Sequence, residues 1–218
     1  ENKPGGNTVI GAREVQKASP DGHTLLYTIA THVQIPHLYR EPPWDPFRDF
    51  TPLTAGARAA TVLTAHVSTP FGSVKELVAY ARSNPGKLNY ASFGSGSTSH
   101  LNGELLKKLA GIDIVHISYK GTVLALNDLV GGQVQLMFSD MPIALPHARS
   151  GKLRALAVTG ARRTPLVPEM PTVAEAGMPG YALDNWWGIL APRGVPPDLV
   201  VKLNALIVRI HGLADVKE

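Results

Sequence analysis

Cysteine is absent from the 218 residues. That excludes disulfides, thiol nucleophiles and cysteine-ligated zinc. It fits an oxidising compartment such as the periplasm, although cytosolic chains also lack cysteine. Aromatic residues are sparse at 6% and no basic stripe is interleaved with them, so the footprint of a nucleic-acid binder is missing. Long apolar runs are missing too, and none approaches the ~20 residues of a membrane-crossing helix. The chain opens on "ENKPGG", with no initiator methionine and no basic-then-apolar leader, so a signal peptide is not expected within it. Eight histidines are scattered, without H-E-x-x-H or a comparable spacing, so neither a metal nor a cofactor is expected.

What is present is an ordinary globular composition, 44% hydrophobic and 17% charged, enough for one large domain or two small ones. The net charge of +4 gives a mild bias towards anionic partners. Lys107-Lys108 and Arg162-Arg163 are the basic doublets. Strand-like and helix-like runs alternate, which predicts an α/β architecture. Strands are expected at 23–30, 61–66, 87–92, 113–118, 133–138, 153–159 and 186–192. Helices are expected between them. "SVKELVAYARSNPG" begins with a capping box of Ser73 and Glu76. "LNGELLKKLAG" places Leu101, Leu105, Leu106 and Leu109 on one face and stops at Gly111. "TVAEAG" repeats the box with Thr172 and Glu175, and "PDLVVKLNALIVRI" is amphipathic with Pro197 in its first turn. The proline-rich segments 41–47 and 162–171 are expected to be loops.

In open α/β sheets, ligands lie beyond the carboxyl ends of strands. The ends here are small and polar: Thr31-His32, the run Gly94-Ser95-Gly96-Ser97-Thr98-Ser99, Tyr119-Lys120-Gly121-Thr122, and Ser139-Asp140. The glycine- and serine-rich run fails as a Walker loop because no lysine follows Gly96, and Ser99 stands where a dinucleotide fingerprint needs its third glycine. A nucleophile elbow would need glycine at Phe93. A serine-type hydrolase using Ser95 or Ser97 with His100 remains the rival from another class. Free amides at a helix N-terminus, with short hydroxyls and glycines, suit a carboxylate or phosphate without any catalytic group. Capping alone accounts for one or two of the hydroxyls, not for Gly94, Gly96 and the cluster.

Several motifs occur in order: "ENKPGG", "KASPDGHTLL", "YASFGSGSTSHLNGEL", "GIDIVHISYKG", "DLVGGQVQLMF", "ALPHARSGKLRALAVTGARR" and "PEMPTVAEAGMPGY". Together they resemble the periplasmic substrate-binding receptors of tripartite tricarboxylate transporters, also called Bug receptors. The resemblance covers nearly the whole chain. It implies a type II periplasmic-binding-protein fold, two α/β domains joined by crossing strands near 60–65 and 184–188, with the ligand in the cleft. Domain one would comprise 1–62 with 185–218, and domain two 63–184. Such receptors hold a carboxylate through backbone amides, small hydroxyls and ordered waters. Carried onto this sequence, the matching positions are Thr31, His32, Gly94, Ser95, Gly96, Ser97, Thr98, Ser139 and Asp140. The resemblance implies a small organic carboxylate as ligand, membrane transporter subunits as partners, a periplasmic location, a monomer, and no catalysis.

Three departures matter. The family pattern has a further strand–helix–strand unit and a C-terminal tail that this sequence does not contain, so part of the carboxylate site is expected outside it and an apolar sheet edge is expected within it. The glycine-rich run is thinned to Gly5-Gly6-Asn7-Thr8. Many members also read "MFDN" where this chain has Met137-Phe138-Ser139-Asp140, which moves the acidic residue one step to the other strand face. A plain di- or tricarboxylate, or an aromatic acid, is then favoured over an amino acid.

Overall fold

The computed structural model describes residues 1, 3 and 8–213. Gly5, Gly6 and Asn7 of the thinned glycine run, and the segment after Leu213, lie outside the described residues. The chain divides into two compact units, Glu1–Arg58 with Trp186–Glu218, and Ala59–Asn185.

The first unit holds helix α1 (Val9–Gln16), strand β1 (Leu26–Ile29), the short helix α2 (Thr31–Gln34) running into a 3-10 turn at Ile35–Leu38, and strand β2 (Phe50–Ala59). Strand β8 (Asn185–Pro192) and helix α7 (Pro197–His211) complete it. The sheet order is β1-β8-β2, with β1 antiparallel to β8 from Leu26↔Leu190 to Ile29↔Trp187. β2 is not legible in the sequence: "FTPLTAGARA" mixes proline, glycine and alanine, all poor strand formers. Pairing within the sheet sets its conformation instead. Its core gathers Val15, Leu26, Ile35, Trp44, Phe50 and Leu190. Helix α7 packs Leu199, Val200, Leu203 and Ile207 against Leu53, Ala191 and Val195, while Val201 stays 70% exposed. Tyr27, on β1 at the sheet edge, is also exposed.

The second unit is a five-stranded sheet of order β5-β4-β6-β3-β7. Its strands are β3 (Thr61–His66), β4 (Asn89–Ser92), β5 (Val115–Ser118), β6 (Leu136–Asp140) and β7 (Leu153–Val158). β4 is parallel to β5 and β6, while β3 runs antiparallel to β6 and β7. Five of the six residues of β3 are buried, as expected for a strand covered on both faces. Helices α3 (Val74–Ser83), α4 (Thr98–Ala110), α5 (Thr122–Val130) and α6 (Met141–Arg149) cross over between strands.

Helix α3 starts as its capping box predicts. Ser73 Oγ accepts the Glu76 amide at 3.2 Å, and the Glu76 carboxylate accepts from the Gly72 amide at 2.7 Å. Val74, Leu77, Val78 and Ala81 form its buried stripe. The box at Thr172 and Glu175 closes reciprocally, at 3.0 and 2.9 Å, but caps a turn rather than the expected helix. Helix α6 was hidden by Pro142 and Pro146. Proline is tolerated in the first turn, but Pro146 lies inside the helix.

Helix α4 corrects an expected face. Leu106 is buried, but Leu109 is 42% exposed. The buried residues are Thr98, Ser99, Asn102, Gly103, Leu106 and Ala110. Hydrogen bonds turn the first half of the helix inward: Ser99 Oγ donates to the Phe138 carbonyl at 2.8 Å, and Tyr181 donates its hydroxyl to Asn102 Oδ1 at 2.6 Å. Gly103 lets the Tyr90 ring pass against the helix. A Cβ there would lie 2.1 Å from Tyr90 Cε2. The expected strand 133–138 is displaced too. β6 continues through Ser139 and Asp140, which pair with Val62 and Thr61 of β3.

Candidate functional site

The candidate site of the second unit begins where β4 ends. The chain turns through 93–97 and enters α4 at Ser97, its N-cap. Gly96 takes a φ of 80°, a left-handed backbone that favours glycine. Ser97 Oγ accepts the His100 amide at 3.4 Å and donates to the Gly94 carbonyl at 2.6 Å. Ser92 Oγ accepts the Gly94 amide at 3.2 Å. Ser95 Oγ donates to Ser118 Oγ at 3.3 Å and is exposed. The Gly96 amide donates to His100 Nδ1 at 2.9 Å.

These bonds reassign the hydroxyl cluster. Ser92, Ser97 and Ser99 spend their hydroxyls holding the loop and the helix start together. Three groups are left for a ligand. The amides of Thr98 and Ser99, at the first two positions of α4, have no intrahelical acceptor. The Ser139 hydroxyl is fully buried on β6 and has no partner among the described residues. Ser99 bonds the carbonyl of Phe138, the residue before Ser139, which ties the helix start to that strand. A helix N-terminus carries partial positive charge, so the donor set favours an anion.

Thr98 Oγ1 donates to Asn185 Oδ1 at 3.4 Å. That leaves the amide nitrogen of Asn185 to serve the neighbouring Asp140 carboxylate. Burial pushes the Asp140 carboxyl up, against the opposing effect of its hydrogen bond to Asn185. Asn185 was not singled out from the sequence: a lone asparagine ahead of two tryptophans carries no local signal.

Behind the loop lies a layer of rings. Ser92 Oγ and His116 Nε2 are 2.7 Å apart. The His100 and His116 rings stack with centroids 4.0 Å apart and planes inclined by 21°. Tyr90 stacks on His116 at 5.0 Å and donates its hydroxyl to Glu104 at 2.7 Å. Burial holds His116 down at about 4 and lowers His100 as well. No local pattern signals this layer, because β5 supplies His116 and α4 supplies His100.

In the first unit, Thr31 and His32 open α2 and are buried. The His32 ring stacks on Trp44 at 5.2 Å and meets Phe50 edge-on at 4.6 Å, while Trp44 Nε1 donates to the His32 carbonyl at 3.0 Å. Burial drives His32 down to about 4. Both its ring nitrogens, and the hydroxyls of Thr28 and Thr31, lack partners among the described residues.

The hydrolase arrangement is not formed. His100 Nδ1 takes the Gly96 amide, and Ser95 and Ser97 direct their hydroxyls to Ser118 and the Gly94 carbonyl. The physical reason is the helix start: it turns the His100 ring back onto its own loop, where an amide competes for it. Among the described residues no group of three metal-ligating side chains converges, and no helix is long and apolar enough to cross a membrane.

The chain matches the family described as "Tripartite tricarboxylate transporter family receptor" over residues 1–211. It belongs to that family. A protein encoded in the tcbD–tcbE intergenic region of a Pseudomonas species is 37% identical over 219 residues, covering 100% of this chain and 65% of its own length. The chain thus spans about two thirds of the length of the curated relatives it matches. A Rhodopseudomonas palustris protein with adipate superposes at a TM-score of 0.91 and 37% identity, covering 99% of this chain and 73% of that one. MatC from Rhodopseudomonas palustris with bound malate superposes at 0.89 and 36%, covering 100% and 74%. The fold is that of the periplasmic binding proteins of this receptor family, as the motifs implied.

Proposed function

We propose that this chain is part of a periplasmic solute-binding receptor that captures an organic carboxylate and delivers it to membrane transporter subunits, without catalysis. The observation that carries the reading is the donor set at the start of α4: the amides of Thr98 and Ser99 beside the buried hydroxyl of Ser139, none of which has a partner among the described residues. These are neutral donors. They stabilise a carboxylate by dipole and hydrogen bond, and no lysine or arginine among the described residues is buried to oppose release. Gly94, Ser95, Gly96 and Ser97 shape the loop. The adipate and malate held by two related proteins support a dicarboxylate. Ser139, standing where many members carry an acidic residue, is the specificity element: a neutral donor there accepts a carboxylate that an acidic side chain would repel.

A thermal-shift panel of mono-, di- and tricarboxylates, aromatic acids, acidic amino acids and nucleotides tests the reading. A ligand at about 100 times its dissociation constant adds ~2.7 kcal/mol. A shift confined to dicarboxylates is the expected outcome. A shift with nucleotides alone, or none with any carboxylate, overturns it.

A further inference from the structure

We infer, resting on the carboxylate reading above, that His100 is the positioning residue of the anion loop, and that a proton on its Nδ1 releases Gly96 and weakens carboxylate binding.

A backbone amide can only donate, so the 2.9 Å contact from the Gly96 amide requires a bare lone pair on His100 Nδ1. The ring proton therefore sits on Nε2. A second proton can enter only at Nδ1, where it would face the Gly96 N–H. Gly96 immediately precedes the N-cap Ser97, and the Thr98 and Ser99 amides follow at once. Losing this contact frees the loop at the point that aims those two amides.

The ring itself is firmly held. His116 of β5 covers one face at 4.0 Å, and Tyr90 of β4 lies beyond at 6.5 Å, nearly parallel to His100. His116 is in turn fixed by Ser92 Oγ, which also receives the Gly94 amide. The two imidazoles thus brace both glycines of the loop from one stacked layer.

The charged groups around the ring set the direction of the response. Glu104, one turn along α4, is 3.9 Å from Nε2 and favours the charged ring. The same carboxylate oxygen is already taken by Lys107 at 3.0 Å and by the Tyr90 hydroxyl at 2.7 Å. Lys107 opposes protonation of His100, and a charged His100 would in turn hold His116 down. Burial is the largest influence and keeps His100 neutral at pH 7, so the brace is intact there and is lost on acidification.

The test is calorimetric titration of adipate and of malate into the chain and its His100→Asn variant, at pH 7.5, 6.0 and 4.5. Asparagine keeps an acceptor near the Nδ1 position but takes no proton. The unsubstituted chain should lose at least tenfold more affinity on acidification than the variant. Protonation of the ligand and of Asp140 is common to both chains and cancels in the comparison. His100→Ala, which keeps no acceptor, should bind about tenfold more weakly at pH 7.5. Equal acid losses in the chain and His100→Asn, or undiminished binding by His100→Ala, overturn the inference. Should neither acid bind at pH 7.5, the carboxylate reading fails, and the Gly96 amide decides the brace by itself. Its hydrogen-exchange protection in the unsubstituted chain should fall as His100 titrates. Protection independent of that titration overturns the brace.

Discussion

The two units treat buried polar atoms in opposite ways. Around the start of α4, nearly every hydroxyl has a partner: Ser92, Ser97 and Ser99 bond carbonyls, and Asn102 bonds both Tyr181 and the Thr98 carbonyl. In the first unit, Thr28, Thr31 and His32 are equally buried, yet their side-chain polar atoms have no partner among the described residues. A satisfied network is rigid and defines one geometry, whereas unpaired buried groups cost stability and are met by water or ligand. The lesson is that a polar run can be a scaffold. Most hydroxyls of the glycine- and serine-rich run build the loop, while the groups without a partner among the described residues are two amides and Ser139, which the sequence also singles out at the end of β6.

The largest effect that would break this comparison is steric. Gly103→Ala puts a methyl group 2.1 Å from the Tyr90 ring and disrupts the layer behind the loop. Denaturant titration should show a loss of about 3 kcal/mol. A loss below about 1 kcal/mol would mean that the layer yields easily.

Acid should separate the units next. His32 is held at about 4, below its usual 6.5, because it is buried among aromatic rings. The unfolded chain then binds the proton more readily than the folded one. Stability is full above pH 6.5 and declines between 6.5 and about 4, by on the order of 3 kcal/mol for this residue. His32→Phe should make the acid slope shallower by about one proton. An unchanged slope would assign the acid sensitivity to His100 and His116 alone.

Ser139→Asp tests the donor set directly. A carboxylate there removes a donor and repels an anion, so adipate and malate affinity should fall at least tenfold, about 1.4 kcal/mol. Retained affinity in calorimetry would remove Ser139 from the site.

The smallest effects sharpen the contrast most cleanly. Ser99→Ala deletes a bonded hydroxyl and should cost about 1 kcal/mol. Thr28→Val deletes an unpartnered one at nearly constant volume, and should be neutral or stabilising, within roughly 1 kcal/mol. Equal losses in chemical denaturation would erase the distinction between the units.

Much was legible from local signals. Strand β3 matches its expected range 61–66, because a buried β-branched run between turns has one ready solution. Helices α3, α4 and α7 follow from caps and apolar spacing. The glycine- and serine-rich loop leading into α4 was legible because glycine, hydroxyl and helix-start signals coincide within a few residues. Strand β2 and helices α5 and α6 were not legible. β2 and α6 carry residues that oppose their own conformation, and packing overrides that preference.

Composition and short-range pattern alone set the α/β alternation, the lack of thiol chemistry in these 218 residues, and the ordered motifs that mark the family. These depend on composition and on neighbours within a few residues. Tertiary structure decided which polar atoms are spent and which remain. Whether Ser97 or Ser139 meets a ligand depends on carbonyls brought in by loop and strand. Whether His100 holds a proton depends first on its burial, to which His116 contributes by stacking over it from another strand. Hydrogen-bond supply and burial are set by segments distant along the chain, and no local pattern encodes them.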